Sequence, residues 1–262
     1  MMNKLFYIFP LFFICLSLFS CQDPANKSYE TDLSSYFGNY SGAFVLYDYN
    51  NKYYIKHNAE QCSTRFSPCS TFKLPNSLIG LETGVIKDEN FIIPWDSVTR
   101  NREELNRDHD LSSAIKSSVV WYYQELARQV GEEKMKMYID SLHYGNMDIS
   151  GGIDKFWLDN SLKISADEQV GFMYKLYTDS LPFSKTNMDI VKRIIIQDTL
   201  ENGAVFSGKT GSNGKDLGWF VGAVELGSNI YLFATNITGD GADGRQAREI
   251  SREIIRSLKL IP

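Results

Sequence analysis

Ser70 and Lys73 stand three residues apart, just where an apolar run from Leu74 to Thr83 begins. On a helix, residues three apart share a face and their side chains meet. A serine hydroxyl is a poor nucleophile until a neighbouring base takes its proton, and a lysine in contact with it is such a base. The helix N-terminus adds unpaired N–H groups and the positive end of a dipole, which favour developing negative charge. Pro75 fits this placement, since the first turn of a helix tolerates proline. The chemistry these residues suggest is covalent catalysis through a serine ester. The tetrad alone is weak evidence, because Ser-x-x-Lys recurs at Ser113 to Lys116 and at Ser212 to Lys215.

The elements that must hold such a pair are readable from periodicity. Ala43 to Tyr49 and Lys52 to His57 alternate like two strands joined at Asn50-Asn51. Leu74 to Thr83 reads as a helix stopped by Gly84. Leu111 to Val130 carries one long helical pattern ending at Gly131, and Glu132 to Leu142 and Ala166 to Tyr177 are further helices. Ala204 to Ser207, Leu217 to Leu226 and Ile230 to Thr235 are strand-like, and Gly244 to Leu258 is a closing amphipathic helix. The order strands, helices, strands, helix predicts an α/β (α+β) fold. One central antiparallel sheet is built from both ends of the chain, flanking helices cover it, and the middle helices form a lobe. The cleft between sheet and lobe is the natural place for a site.

Three further triplets follow the tetrad in order: Ser118-Val119-Val120 on the long middle helix, Tyr144-Gly145-Asn146 in the loop after a helix, and Lys209-Thr210-Gly211 at a strand end. Any one is cheap; Phe37-Gly38-Asn39 nearly repeats the second. The ordered set is specific. It resembles the class D (oxacillinase-type) serine β-lactamases. The stretches Phe66 to Asn76 and Ile149 to Leu158 are similar to that family throughout, and the likeness runs from about residue 40 to the C-terminus. Ser118-Val119-Val120 stands where class A enzymes have Ser-Asp-Asn.

The resemblance implies a β-lactamase/transpeptidase-like fold and assigns roles. Ser70 attacks the lactam carbonyl. Lys73 becomes N-carboxylated by CO2 and serves as base in both half-reactions, so bicarbonate is needed but no other cofactor and no metal. Trp157 hydrogen-bonds the carbamate, while Val120 and Leu158 keep its surroundings apolar. Ser118 and Lys209 pass a proton to the leaving nitrogen. Backbone N–H groups of Ser70 and Ser212 form the oxyanion hole. Tyr144, Thr210 and Gly211 complete the substrate-binding set. An arginine near the last helix pairs with the substrate carboxylate; Arg248 is the first choice and Arg245 the alternative. The rivals are a β-lactam-sensing receptor domain and a penicillin-binding transpeptidase or carboxypeptidase. The sensor is disfavoured by the lack of transmembrane and cytoplasmic extensions.

The N-terminus is different in kind. Lys4 precedes an apolar run from Leu5 to Phe19, broken by Pro10 and closed by Ser20-Cys21. It is shorter than the ~20 residues of a membrane span and reads as a signal peptide over 1–20. Leu18-Phe19-Ser20-Cys21 is similar to a lipobox, which predicts lipidation of Cys21, a polar tether over 21–35, a catalytic domain over 36–262 and a periplasmic, lipid-anchored protein. A plain secretory signal is the alternative. Cys62 and Cys69 remain, either as a small disulfide loop or as two free buried thiols.

The rest of the composition excludes classes. With 43% hydrophobic and 23% charged residues the 262-residue chain is globular, not disordered. A net charge of −5 without basic runs argues against nucleic acid. No Gly-x-Ser-x-Gly elbow accompanies His57, His109 or His143, so a Ser-His-Asp triad is unsupported. Asp108-His109-Asp110 reads as a solvated loop rather than a metal site.

Overall fold

The computed structural model describes residues 27–262. Its centre is a seven-stranded sheet in the order β1-β3-β2-β7-β6-β5-β4. The strands are β1 (Lys27–Glu30), β2 (Ser41–Asp48), β3 (Tyr53–His57), β4 (Ile196–Thr199), β5 (Val205–Ser212), β6 (Leu217–Leu226) and β7 (Asn229–Thr238). All neighbours pair antiparallel except β1, which runs parallel to β3. Between β3 and β4 lie α1 (Ala59–Ser63), α2 (Lys73–Glu82), α3 (Leu111–Lys116), α4 (Val120–Val130), α5 (Glu132–Leu142), α6 (Ala166–Tyr177) and α7 (Lys185–Ile194); α8 (Gly244–Ser257) closes the chain.

Both sheet faces are covered, as the two parities of β2 require. Ala43, Val45 and Tyr47 join the core beneath the helical lobe, while Phe44 and Leu46 join the core beneath α8. There α8 lays Ala247, Ile250, Ile254 and Ile255 on Phe206, Phe220 and Phe233. Fully burying each such isoleucine stabilises the packing by roughly 1.5–3 kcal/mol. Asp243 caps α8, accepting from the N–H groups of Arg245 and Gln246, with Gln246 reaching back to the Asp243 N–H.

Several boundaries differ from the sequence expectations. The long helix over Leu111 to Val130 is two helices, α3 and α4, because Ser118 adopts a left-handed φ of 54° that no continuous helix contains. The polar stretch expected to be a tether contains β1, hydrogen-bonded along β3, so the folded domain begins before residue 36. All four β1 residues are exposed and carry no apolar alternation to betray it. β5 is longer than expected and holds Lys209-Thr210-Gly211 within the strand rather than beyond it. α7 and β4 were not anticipated. The expected signal peptide and Cys21 lie outside the described residues. Cys62 and Cys69 are free buried thiols.

Candidate active site

Three separate stretches of chain meet at one point. Ser70 sits in a 3-10 turn, Cys69–Phe72, that leads directly into α2. Cys69 takes a left-handed φ of 49°, and the Pro68 carbonyl accepts from both the N–H and the hydroxyl of Thr71, which fixes the turn. Lys73, the first residue of α2, is completely buried, and its Nζ lies 2.7 Å from the Ser70 Oγ. Burial pushes its pKa well below the ordinary lysine value, and the charge of Lys209 adds to the effect while Cys69 opposes it. An ammonium carries three donors. Among the described residues, the Ser70 hydroxyl is its one hydrogen-bond partner, and no carboxylate pairs with it. Burial thus disfavours the ammonium form, with the Tyr123 ring, 5.4 Å from Nζ, as the one further neighbour suited to a cation.

The break between α3 and α4 delivers Ser118. Its left-handed backbone turns its Oγ toward Lys209, whose Nζ donates to it at 3.1 Å. Lys209 is 5% exposed on β5, and its Nζ also donates to the Thr210 carbonyl and contacts the Thr210 hydroxyl. Burial, with the nearby Arg102 charge, lowers its pKa to about 7. β5 runs close against the nucleophile turn. A Cβ on Gly211 would lie 2.9 Å from the Pro68 carbonyl, and one on Gly244 would lie 2.7 Å from that of Gly211, so both glycines are there for close approach.

Trp157 is fully buried and stacked on Phe72 at 5.3 Å, with no hydrogen-bond partner for its indole N–H among the described residues. Its carbonyl accepts from the Ser67 hydroxyl, tying this loop to the nucleophile turn. Leu158 is half-buried beside it and borders a cavity of about 750 Å³ that also touches Phe66, Ser67, Asn213 and Leu217. Val120 opens α4 and is 36% exposed; Val119 is the buried one. Ser212 ends β5 and takes a hydrogen bond on its hydroxyl from the Gly214 N–H.

Two expectations need correction or refinement. Tyr144 does not reach solvent: it is 2% exposed, and its hydroxyl donates to Gln169, whose amide donates to Thr71 at 2.8 Å. Tyr144 thus backs the nucleophile turn instead of touching substrate. Asn146 exchanges backbone and side-chain hydrogen bonds with Lys163 and donates to the Ser161 carbonyl, so the Tyr-Gly-Asn triplet clamps the loop that carries Trp157. Gln169 was missed; its signal was a glutamine among the apolar positions of α6. Arg248 and Arg245 both stand in the first two turns of α8, whose start at Gly244 abuts Thr210. Arg248 is bound through two nitrogens to Glu249, whereas Arg245 is 84% exposed with only Asp243 at 3.2 Å. The other two Ser-x-x-Lys copies are structural: Ser113 belongs to the α3 capping box, and Ser212 to Lys215 lie at the β5–β6 turn.

A serine at the head of a buried helix, a lysine amine in contact with it, and a Ser-Lys pair facing it from lobe and sheet make one cluster, and the domain that carries it is of the transpeptidase type. Residues 42–256 match the penicillin binding protein transpeptidase domain family. β-Lactamase OXA-48 of Klebsiella pneumoniae is 41% identical over 244 residues, covering 90% of each chain. The solved class D β-lactamase BAT-2 superposes with a TM-score of 0.85 at 41% identity, over 88% of this chain and 97% of that one. The C-terminal domain of the Bacillus licheniformis BlaR penicillin-receptor superposes with a TM-score of 0.87 at 38% identity, over 91% and 99%. The chain belongs to the class D serine β-lactamases.

Proposed function

We propose that the protein hydrolyses β-lactams through an ester on Ser70, with carboxylated Lys73 as general base. The observation that carries this reading is the wholly buried Lys73 amine in contact with the Ser70 hydroxyl and lacking an acid partner. A neutral amine can add CO2, releasing one proton and gaining an anionic carboxylate. The Trp157 N–H, buried without a partner among the described residues, is a donor suited to such a group, and its ring is packed against Phe72 and Phe156.

In this reading Lys73 takes the Ser70 proton as Oγ bonds to the lactam carbonyl carbon, the oxyanion facing the N–H groups of Ser70 and Ser212. The C–N bond then breaks, its electron pair staying on nitrogen, which takes a proton from Ser118; Lys209 replaces that proton. With a pKa of about 7, Lys209 is matched to donating near neutrality. The proton held by Lys73 then returns to Lys209, and Lys73 takes one from water as the water oxygen bonds to the ester carbonyl carbon; the bond to Ser70 breaks, Oγ takes that proton back from Lys73, and the ring-opened acid leaves. For the substrate carboxylate we give first place to Arg245, which adjoins Gly244 and has the freer guanidinium, with Arg248 second.

The likeness to the BlaR domain supports a second reading, in which Ser70 is acylated and stays so. A chromogenic β-lactam separates the two: sustained turnover, abolished by Ser70→Ala, is expected of the enzyme. One stoichiometric acylation marks the sensor, and no acylation overturns the site. We also propose a periplasmic location with Cys21 as a lipid anchor, on the strength of the sequence pattern alone.

A further inference from the structure

Arg102 touches none of the reacting groups above, though its charge bears on Lys209, and it stands at the site's edge. It precedes a 3-10 turn, Glu103–Leu105, in a connection held firmly to the lobe. The Trp121 indole donates to the Leu105 carbonyl, His109 Nε2 bonds the Glu104 carbonyl, and Arg100 lies over the Trp121 ring. From this anchored base the Arg102 side chain, 55% exposed, sends Nη2 to the Ser117 carbonyl at 3.3 Å. That carbonyl leads into Ser118, the proton donor to the leaving nitrogen. The other guanidinium contact is Glu104, at 2.7 Å and 50% exposed. An exposed ion pair of this kind is worth little and opens readily.

The chemistry of the substrate fixes what passes here. With the lactam carbonyl carbon at Ser70 Oγ, the ring nitrogen must lie at Ser118. The fused second ring is bonded to that nitrogen. Its outer substituents therefore point past Ser118, toward Ser117 and Arg102, while the acylamino group leaves from the other end of the lactam. We infer that Arg102 is a specificity-determining residue that reads the charge on the fused ring's outer substituent, disfavouring cationic groups there and favouring neutral or anionic ones. Its Nη2, 3.3 Å from the Ser117 carbonyl, places the charge next to Ser118 on this side of the site. Glu104 sets its strength by partial neutralisation. Discrimination by an unfavourable like-charge contact needs no new bond to the preferred substrate.

This inference rests on Ser70 being acylated by β-lactams, so the experiment measures acylation, not turnover. Two cephalosporins with the same thienylacetamido side chain are compared: cephalothin, with a neutral acetoxymethyl group, and cephaloridine, with a pyridiniummethyl cation. Their second-order acylation constants are read by competition with a fluorescent penicillin. Like charges about 8 Å apart at the surface discriminate by about three- to fivefold at low salt. The cephalothin-to-cephaloridine ratio is expected to fall by that factor in Arg102→Gln and to rise about twofold in Glu104→Gln. It should also shrink for the unaltered protein as salt rises from about 0.02 to 0.3 M. Both variants change exposed side chains, so folding is not at stake. Opposite movements of one ratio are not produced by a merely structural role. A ratio unchanged by Arg102→Gln, or moved the same way by both variants, overturns the inference. Absence of acylation by either compound overturns the reading of Ser70 instead.

Discussion

Replacing Lys209 with methionine should make the protein more stable while destroying its chemistry. Lys209 is buried on β5, and its pKa drops from the ordinary 10.5 to about 7. At about 1.4 kcal/mol per pH unit, that drop represents a cost of about 5 kcal/mol for holding the ammonium inside. The sign follows from proton linkage. Between about pH 7 and 10.5 the unfolded chain binds this proton and the folded chain does not, so the group's contribution to stability rises with pH across that window. Below pH 7 both states are charged and the cost is present in full; above 10.5 both are neutral and it vanishes. Methionine keeps the apolar stem but forfeits the bonds to Ser118 and Thr210, about 1 kcal/mol apiece. The net gain at pH 6.5 is then about 2–3 kcal/mol, or a Tm rise of about 5–10 °C for a domain of this size. The measurement is thermal unfolding of both proteins at pH 6.5, 8 and 10, with the gap closing as pH rises. A variant less stable at pH 6.5, or a gap indifferent to pH, refutes the claim that charge burial at Lys209 costs stability.

Trp157→Phe should keep the stack on Phe72 yet remove the indole donor, weakening carboxylation of Lys73. Activity should then depend on added bicarbonate near pH 6 with the acyl-enzyme accumulating, and the 13C carbamate signal should fade. Full activity of degassed wild type with no such signal would count against the carboxylated base. Arg245→Ala should raise KM about tenfold with a smaller fall in kcat, since a carboxylate partner is lost and not a reacting group; a normal KM there and a raised one in Arg248→Ala would reverse the order given above. Cys21→Ser should move the protein from membrane to soluble fractions, and unchanged fractionation would exclude the lipid anchor.

The four motifs were legible because each is a short run of residue types whose order survives any folding. Their placement was legible only in part. The apolar spacing of Leu111 to Val130 is continuous through Ser118, so periodicity predicts one helix; the break exists because Ser118 must face Lys209 from another part of the chain. Tyr144 was placed in the substrate-binding set through the resemblance carried by the Tyr-Gly-Asn triplet. Its partner Gln169 lies 25 residues away on α6, beyond any local pattern. The strand β1 was invisible for the opposite reason: it is held by backbone pairing on an exposed edge, where side-chain patterning carries no information.

The sheet's connectivity has a consequence for the nascent chain. Strands β2 and β3 are synthesised early, and β2 lies between β3 and β7 in the finished sheet. Its second neighbour is thus made only after the whole lobe has been translated. Until then β2 presents an open edge, the kind of surface that pairs with the wrong chain. The same delay governs the site. Ser70 and Lys73 emerge about half a chain before Lys209, so a chain still in synthesis carries the Ser70–Lys73 contact without the one between Ser118 and Lys209. The Ser118–Lys209 contact that completes the cluster therefore forms only once β5 has been made.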